Sequence, residues 1–136
     1  MAEPPKPHDE ITFESAGALA GLRAAVTTLA LEAGLNRDRA GDMALAVSEV
    51  GTNSIRHGGG RGTLRIWHTH GAFVCEIRDR GHIDDPLVGR IVPEPLANGR
   101  RGLWLVNQLC DLVQLRSLDD GVVVRLHATL PAAAHA

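Results

Sequence analysis

At 136 residues the chain has the length of one ordinary domain, enough to bury most of its apolar surface without disulfides. A net charge of −2 and 3% aromatic residues argue against a general nucleic-acid binder, which needs a basic face and rings for bases to stack on. Thirteen arginines stand beside a single lysine, Lys6, so a phosphate-binding P-loop is excluded, because its lysine must follow the glycine turn.

Taken in order, MAEPPKPHDE is polar and proline-rich and reads as a lead-in, not a signal peptide. The expected division is a disordered segment over 1–9, one domain over 10–131 and a flexible tail over 132–136. Ile11 to Glu14 suits a short strand. Ser15 then suits the cap of a helix carrying Leu19, Leu22, Val26 and Leu29 to about Ala33, where Gly34 stops it. Asn36 caps a longer helix, ended by Gly58, Gly59 and Gly60. Its residues Ala40, Met43, Ala44, Val47, Val50 and Ser54 form a small, apolar arc that predicts a helix lying on a core. Thr63 to Thr69 and Ala72 to Asp79 are strand-like, joined at His70 and Gly71. The segment RGHIDDPLVGRIVPEPLANGRR follows, with three prolines and little periodicity, as in a lid or binding loop.

Gly102 to Cys110 is a short helix with Leu103, Val106, Leu109 and Cys110 inward. Leu112 to Ser117 and Val122 to Leu130 then form a hairpin. The last strand alternates Val122, Val124, Leu126 and Ala128 against Val123, Arg125, His127 and Thr129, which predicts one buried and one wet face. No apolar stretch approaches the roughly 20 residues of a membrane span. Cys75 and Cys110 sit in apolar runs without metal or framework spacing and read as buried thiols of a cytoplasmic protein. The expected fold is an α/β two-layer sandwich, a mixed and mostly antiparallel sheet with helices on one face.

Three spots carry candidate chemistry. Glu49, Asn53 and His57 are spaced by four, so on a helix they fall on one narrow stripe beside the apolar arc. Such a stripe lines a cleft, or it is a solvated flank with His57 at a helix C-terminus. Asp79 closes the strand row Phe73, Cys75, Ile77, where a carboxylate can accept from an exocyclic amine while the row packs a ring. Taken alone, it reads better as a turn-forming Asp before Arg80 and Gly81. Asn98 to Gly102, with Gly99, Arg100 and Arg101 at a helix start, suits an anion such as phosphate, or is a solvated hinge. His68, His70, His82 and His127 lack the partners that would complete a zinc set and are taken as solvent-facing.

In this order SEVGTNSIRH, IRDRGHIDDP and GRRGLWLVNQLCD resemble the N, G1 and G2 boxes of the GHKL ATPase superfamily, whose Bergerat fold serves gyrase and the histidine kinases. Within it the chain is most similar to the anti-sigma factor serine/threonine kinases of bacterial partner-switching systems. The resemblance implies ATP or ADP with Mg²⁺ as ligands and Glu49 as general base. It also implies Asn53 as the Mg²⁺ ligand, with Glu49 reaching the metal through water, and His57 near the phosphates. Asp79 would receive the adenine amino group and Gly81 would let backbone approach the base. Gly99, Arg100, Arg101, Gly102 and Leu103 would hold the phosphates under a lid from about His82 to Asn98. Two positions depart from the pattern: Ile83 stands where a second G1 glycine is frequent, and Arg100 where the first G2 glycine is expected.

The implied function is an ATP-dependent kinase that phosphorylates a small antagonist protein and sequesters a sigma factor. Homodimers are common in the family, and no direct contact with nucleic acid or membrane is expected. The alternatives are a nucleotide-gated binding module with little catalysis and, last, a detached histidine kinase ATPase domain. A histidine kinase also needs a helical hairpin carrying an acceptor histidine, which these residues do not contain.

Overall fold

A computed structural model describes residues 7, 9–69, 71–80 and 100–131, and the side chains of these apart from residues 100–104. The strands are β1 (Asp9–Phe13), β2 (Gly62–His68), β3 (Ala72–Asp79), β4 (Leu112–Leu118) and β5 (Gly121–Thr129). The helices are α1 (Leu19–Ala33), α2 (Arg37–His57) and α3 (Arg100–Leu109).

Capping sets the helix limits. Gly34, at φ 115, takes the left-handed conformation that ends α1. Two residues on, the Asn36 side chain accepts the Arg39 N–H at 2.9 Å and starts α2. Asp38 in the first turn of α2 and Arg56 and His57 in the last complement its dipole. The expected cap at Ser15 is not made: its side chain forms no capping bond, and a 3-10 turn, Ala16–Ala18, leads into α1 instead. That turn carries Leu19 onto the bare Cα of Gly51, where a Cβ would lie 2.8 Å from its side chain. Together Ala16–Ala33 make an 18-residue stretch long and apolar enough, by composition, to cross a membrane, which the sequence reading had set aside. Here Leu22, Val26 and Ala30 of that stretch are buried in the core.

The sheet order is β1-β2-β3-β5-β4. All four pairings among the described residues are antiparallel, in keeping with the expected mostly antiparallel sheet. β3 and β4 do run the same way, joined through α3, but β5 returns between them and pairs with both. The core lies between this sheet and the helices, where Phe13, Leu64, Ile66, Phe73, Ile77 and Leu126 meet Leu22, Val26, Met43, Val47 and Val50.

The other face departs from expectation. On it Trp67, Val74, Glu76, Val123 and Arg125 are also buried, so β5 has no wet side along most of its length. Cross-strand partners Glu10, Arg65, Glu76, Arg125 and Gln114 form one rung across the five strands. Within it Arg65 Nε meets Glu10 Oε2 and Arg125 Nε meets Glu76 Oε2, each at 2.7 Å. The Arg125 guanidinium also lies over the Trp67 ring, 5.2 Å from its centroid. Long side chains lying flat across neighbouring strands thus cover one another, which a two-residue alternation does not reveal.

Candidate functional site

The last turns of α2 meet the end of β3 at Asp79. Strand alternation turns Phe73, Cys75, Ile77 and Asp79 toward the helices, and Asp79 ends that row only 4% exposed. A buried carboxylate needs a donor, and Ser54 supplies one, its hydroxyl donating to Asp79 Oδ2 at 2.8 Å. Two glycines keep room around it. A Cβ at Gly58 would overlap the Asp79 carboxylate, and one at Gly121 would overlap its backbone carbonyl. Gly58 has φ −111 and ψ 30, which other residues adopt, so its place here is set by space and not by backbone conformation.

Asn53 is buried beside this cradle, and its Nδ2 has no hydrogen-bond partner among the described residues. Leaving such a donor unmet costs roughly 1–3 kcal/mol, a cost relieved if a polar ligand reaches it. Among the described residues the Nδ2 donor is unused, which suits a polar ligand reaching it. Glu49 lies one turn earlier and is half-buried; His57, in the last turn, is exposed. The stripe thus grades from half-buried through buried to solvent. Gly81, Gly99 and the expected lid lie outside the described residues. Arg100, Arg101, Gly102 and Leu103 form the first turn of α3, and their side chains lie outside the description as well.

The far end of α3 is tied to α2. Arg39 donates to the Leu109 carbonyl at 3.0 Å and pairs with Asp111 at 2.8 Å and Asp42 at 3.2 Å. Asp111 in turn accepts the Thr129 N–H at 2.6 Å, and that bond, helped by Arg39 against partial burial, holds its carboxyl below the usual range. This knot fixes α3 relative to the helix bearing Glu49 and Asn53. Burial pushes the Cys75 thiol well up and Cys110 to about 12, which disfavours the thiolate at both.

Sequence reasoning missed two parts of the site. Ser54 had been assigned to the small apolar arc, although a hydroxyl in a buried arc must find an acceptor. Gly58 had been read only as a helix stop.

A family model described as the histidine kinase-like ATPase domain matches residues 13–128. The chain belongs to the histidine kinase-like ATPase domain family, within the GHKL superfamily, and its sheet with helices on one face is that fold. A solved structure of the RsbU and RsbW domains of Rv1364c from Mycobacterium tuberculosis is similar, at TM-score 0.63 and 18% identity. The alignment covers 93% of this chain but 34% of that one, so this chain spans about a third of its length. The catalytic domain of the histidine kinase ThkA is similar at TM-score 0.56 and 11% identity, over 89% of this chain and 95% of that one. A blue-light activated histidine kinase domain from Erythrobacter litoralis follows at 0.50 and 21%, over 93% and 70%. No curated protein matched the sequence significantly. Domains of this family bind ATP or ADP, normally with Mg²⁺, and support ATP-dependent phosphoryl transfer. The Asp79 cradle and the unmet Nδ2 donor of Asn53 fit a nucleotide, and the oxygen of the same amide is of the type that Mg²⁺ takes.

Proposed function

We propose that the chain is an ATP-dependent serine/threonine protein kinase of the partner-switching kind, acting on a small antagonist protein and holding a sigma factor. The observation that carries this reading is Asp79, a buried carboxylate oriented by Ser54 with a glycine on either side. In that position it accepts from the adenine amino group while Ile77 and its neighbours pack the ring. Asn53 Oδ1 would hold Mg²⁺, which when bound neutralises charge on the phosphate oxygens. Glu49 Oε takes the proton from the attacking hydroxyl, and its half-burial leaves it reachable by a protein substrate. His57, Gly81, Gly99, Arg100, Arg101, Gly102 and Leu103 complete the phosphate side of the site. The likeness to a protein containing an RsbW domain supports the partner-switching context.

The test is isothermal titration of the full chain with ADP and a non-hydrolysable ATP analogue, with and without Mg²⁺. Mg²⁺-dependent binding is expected, with a loss of at least about 100-fold in Asp79→Asn, which keeps an acceptor for Ser54 but removes the charge. Glu49→Ala is expected to bind normally and to transfer no phosphate. Unchanged affinity in Asp79→Asn would remove the adenine assignment. A second reading, a nucleotide-gated binding module, is favoured by Arg100 at the place of the first G2 glycine. Wild-type binding without phosphoryl transfer to any antagonist is its signature.

A further inference from the structure

Strand alternation presents Asp79 to the helices and its neighbours Arg78 and Arg80 away from that site. On the helix-free face Thr12, Thr63 and Arg78 are register partners on β1, β2 and β3. A cleft of about 310 Å³ opens there, lined by Arg61, Arg78, Arg80, Thr12, Thr63 and the turn residue Asp120, and Asp79 also reaches its wall.

Three arginines thus share this cleft with one exposed carboxylate, Asp120, and one buried carboxylate, Asp79. Arg61 has a partner, Glu14, at 3.1 Å, but with their side chains 59% and 67% exposed this pair is easily exchanged for another. Arg78 and Arg80 are exposed and make no ion pair among the described residues. Arg116 carries the positive strip on to β4, in register with Val123, which itself faces Arg78. Concentrating like charge on one face of a chain with net charge −2 works against stability unless a counter-charge arrives.

We propose that this cleft is a docking site for an acidic segment of a partner protein, an extended stretch presenting carboxylates on alternate residues. Arg78 lies in β3 and Arg80 just beyond its end, two residues apart, close to the roughly 6.6 Å spacing of same-side groups on an extended ligand. Each guanidinium offers a planar fork to one carboxylate, and the Thr12 and Thr63 hydroxyls can bond the ligand backbone. A small free anion is a poorer match, because the cleft is wide and its cations are on the rim. Nucleic acid is poorer still, since no ring lines the described part of the cleft for a base to stack on. Asp79, assigned to adenine, borders the cleft, but the arginines and threonines that would bind the acidic segment are not assigned to nucleotide, so the proposal does not depend on the ATP reading.

Fluorescence anisotropy on the full chain decides it, with a labelled peptide alternating glutamate and serine, and matched peptides carrying glutamine or phosphoserine. The glutamate peptide is expected to bind, to weaken as salt rises, and to lose about tenfold or more in affinity in the Arg78→Gln/Arg80→Gln double variant. Both sites are exposed, so the variant's melting temperature should match the parent's. Three results would overturn the proposal: equal binding of the glutamine peptide, unchanged affinity in the double variant, or binding confined to phosphoserine, inorganic phosphate or a single-stranded oligonucleotide. ADP titration of the same double variant keeps the two sites apart, because its nucleotide affinity is expected to be unchanged.

Discussion

Glu76 and Asp79 are three residues apart on β3 and buried almost equally, at 1% and 4% exposed, yet they face opposite sides of the sheet. Glu76 is walled in: Arg125 donates to its Oε2 at 2.7 Å, the same guanidinium stacks on Trp67, and the Glu76 Oε1 meets no donor among the described residues. Asp79 has a neutral hydroxyl at 2.8 Å and a bare glycine Cα on each side. One carboxylate is enclosed against a buried guanidinium; the other accepts from a hydroxyl and has glycines packed beside it. Burial alone therefore does not separate a structural charge from a candidate ligand site. What stands next to the charge does.

The largest expected effect breaks the enclosed pair. Glu76→Ala leaves the Arg125 guanidinium buried without its partner and should cost about 3–5 kcal/mol of stability in urea denaturation. Replacing both, as Glu76→Leu with Arg125→Met, should recover most of that loss, because no charge is then buried alone. Asp79→Asn should cost only about 1 kcal/mol, its damage appearing in nucleotide binding instead. Equal destabilisation at the two positions would erase the distinction.

Gly58→Ala sharpens it at the site. The added methyl overlaps the Asp79 carboxylate, so a loss of about 1–3 kcal/mol is expected together with weaker ADP binding by titration. Gly59→Ala is the control: Gly59 has φ 86 and its Cβ would have no neighbour closer than 3.9 Å. That change should cost about 1–2 kcal/mol through backbone strain and leave nucleotide affinity alone. If both variants bind ADP alike, the space at Gly58 does not serve the carboxylate.

Which of these features could be read from sequence depends on their range along the chain. Periodicity and caps are local, so α2 between Asn36 and Gly58, the β2–β3 hairpin and the inward row ending at Asp79 were all legible. Ser54 bonds a residue 25 positions away and Arg39 a carbonyl 70 positions away, and neither partner is marked by any local pattern. The closed outer face was misread for the same reason: alternation labels Trp67, Glu76 and Arg125 as outward, while their burial comes from register between strands. The antiparallel order likewise follows from β5 entering between β3 and β4, a long-range choice.

The smallest effect concerns the same outer face under titration. His127 lies on β5 opposite Val74 on one side and Leu112 on the other, with Arg125 two residues along and Gln114 Oε1 2.9 Å from its Nε2. Burial, and then the positive charge of Arg125, push its pKa below the usual value near 6.5. Between that lowered pKa and about 6.5 the unfolded chain binds more protons than the folded one, so stability rises with pH. The contribution of His127 is thus complete above about 6.5 and lost as pH falls through the lowered folded value. Asp111, held low by the Thr129 N–H, titrates well below that window and does not contribute to it. Thermal melts from pH 7.5 to 5.5 should show a falling midpoint that His127→Gln flattens. A midpoint that does not fall on acidification, or that His127→Gln leaves unflattened, would remove the assignment of this pH dependence to His127.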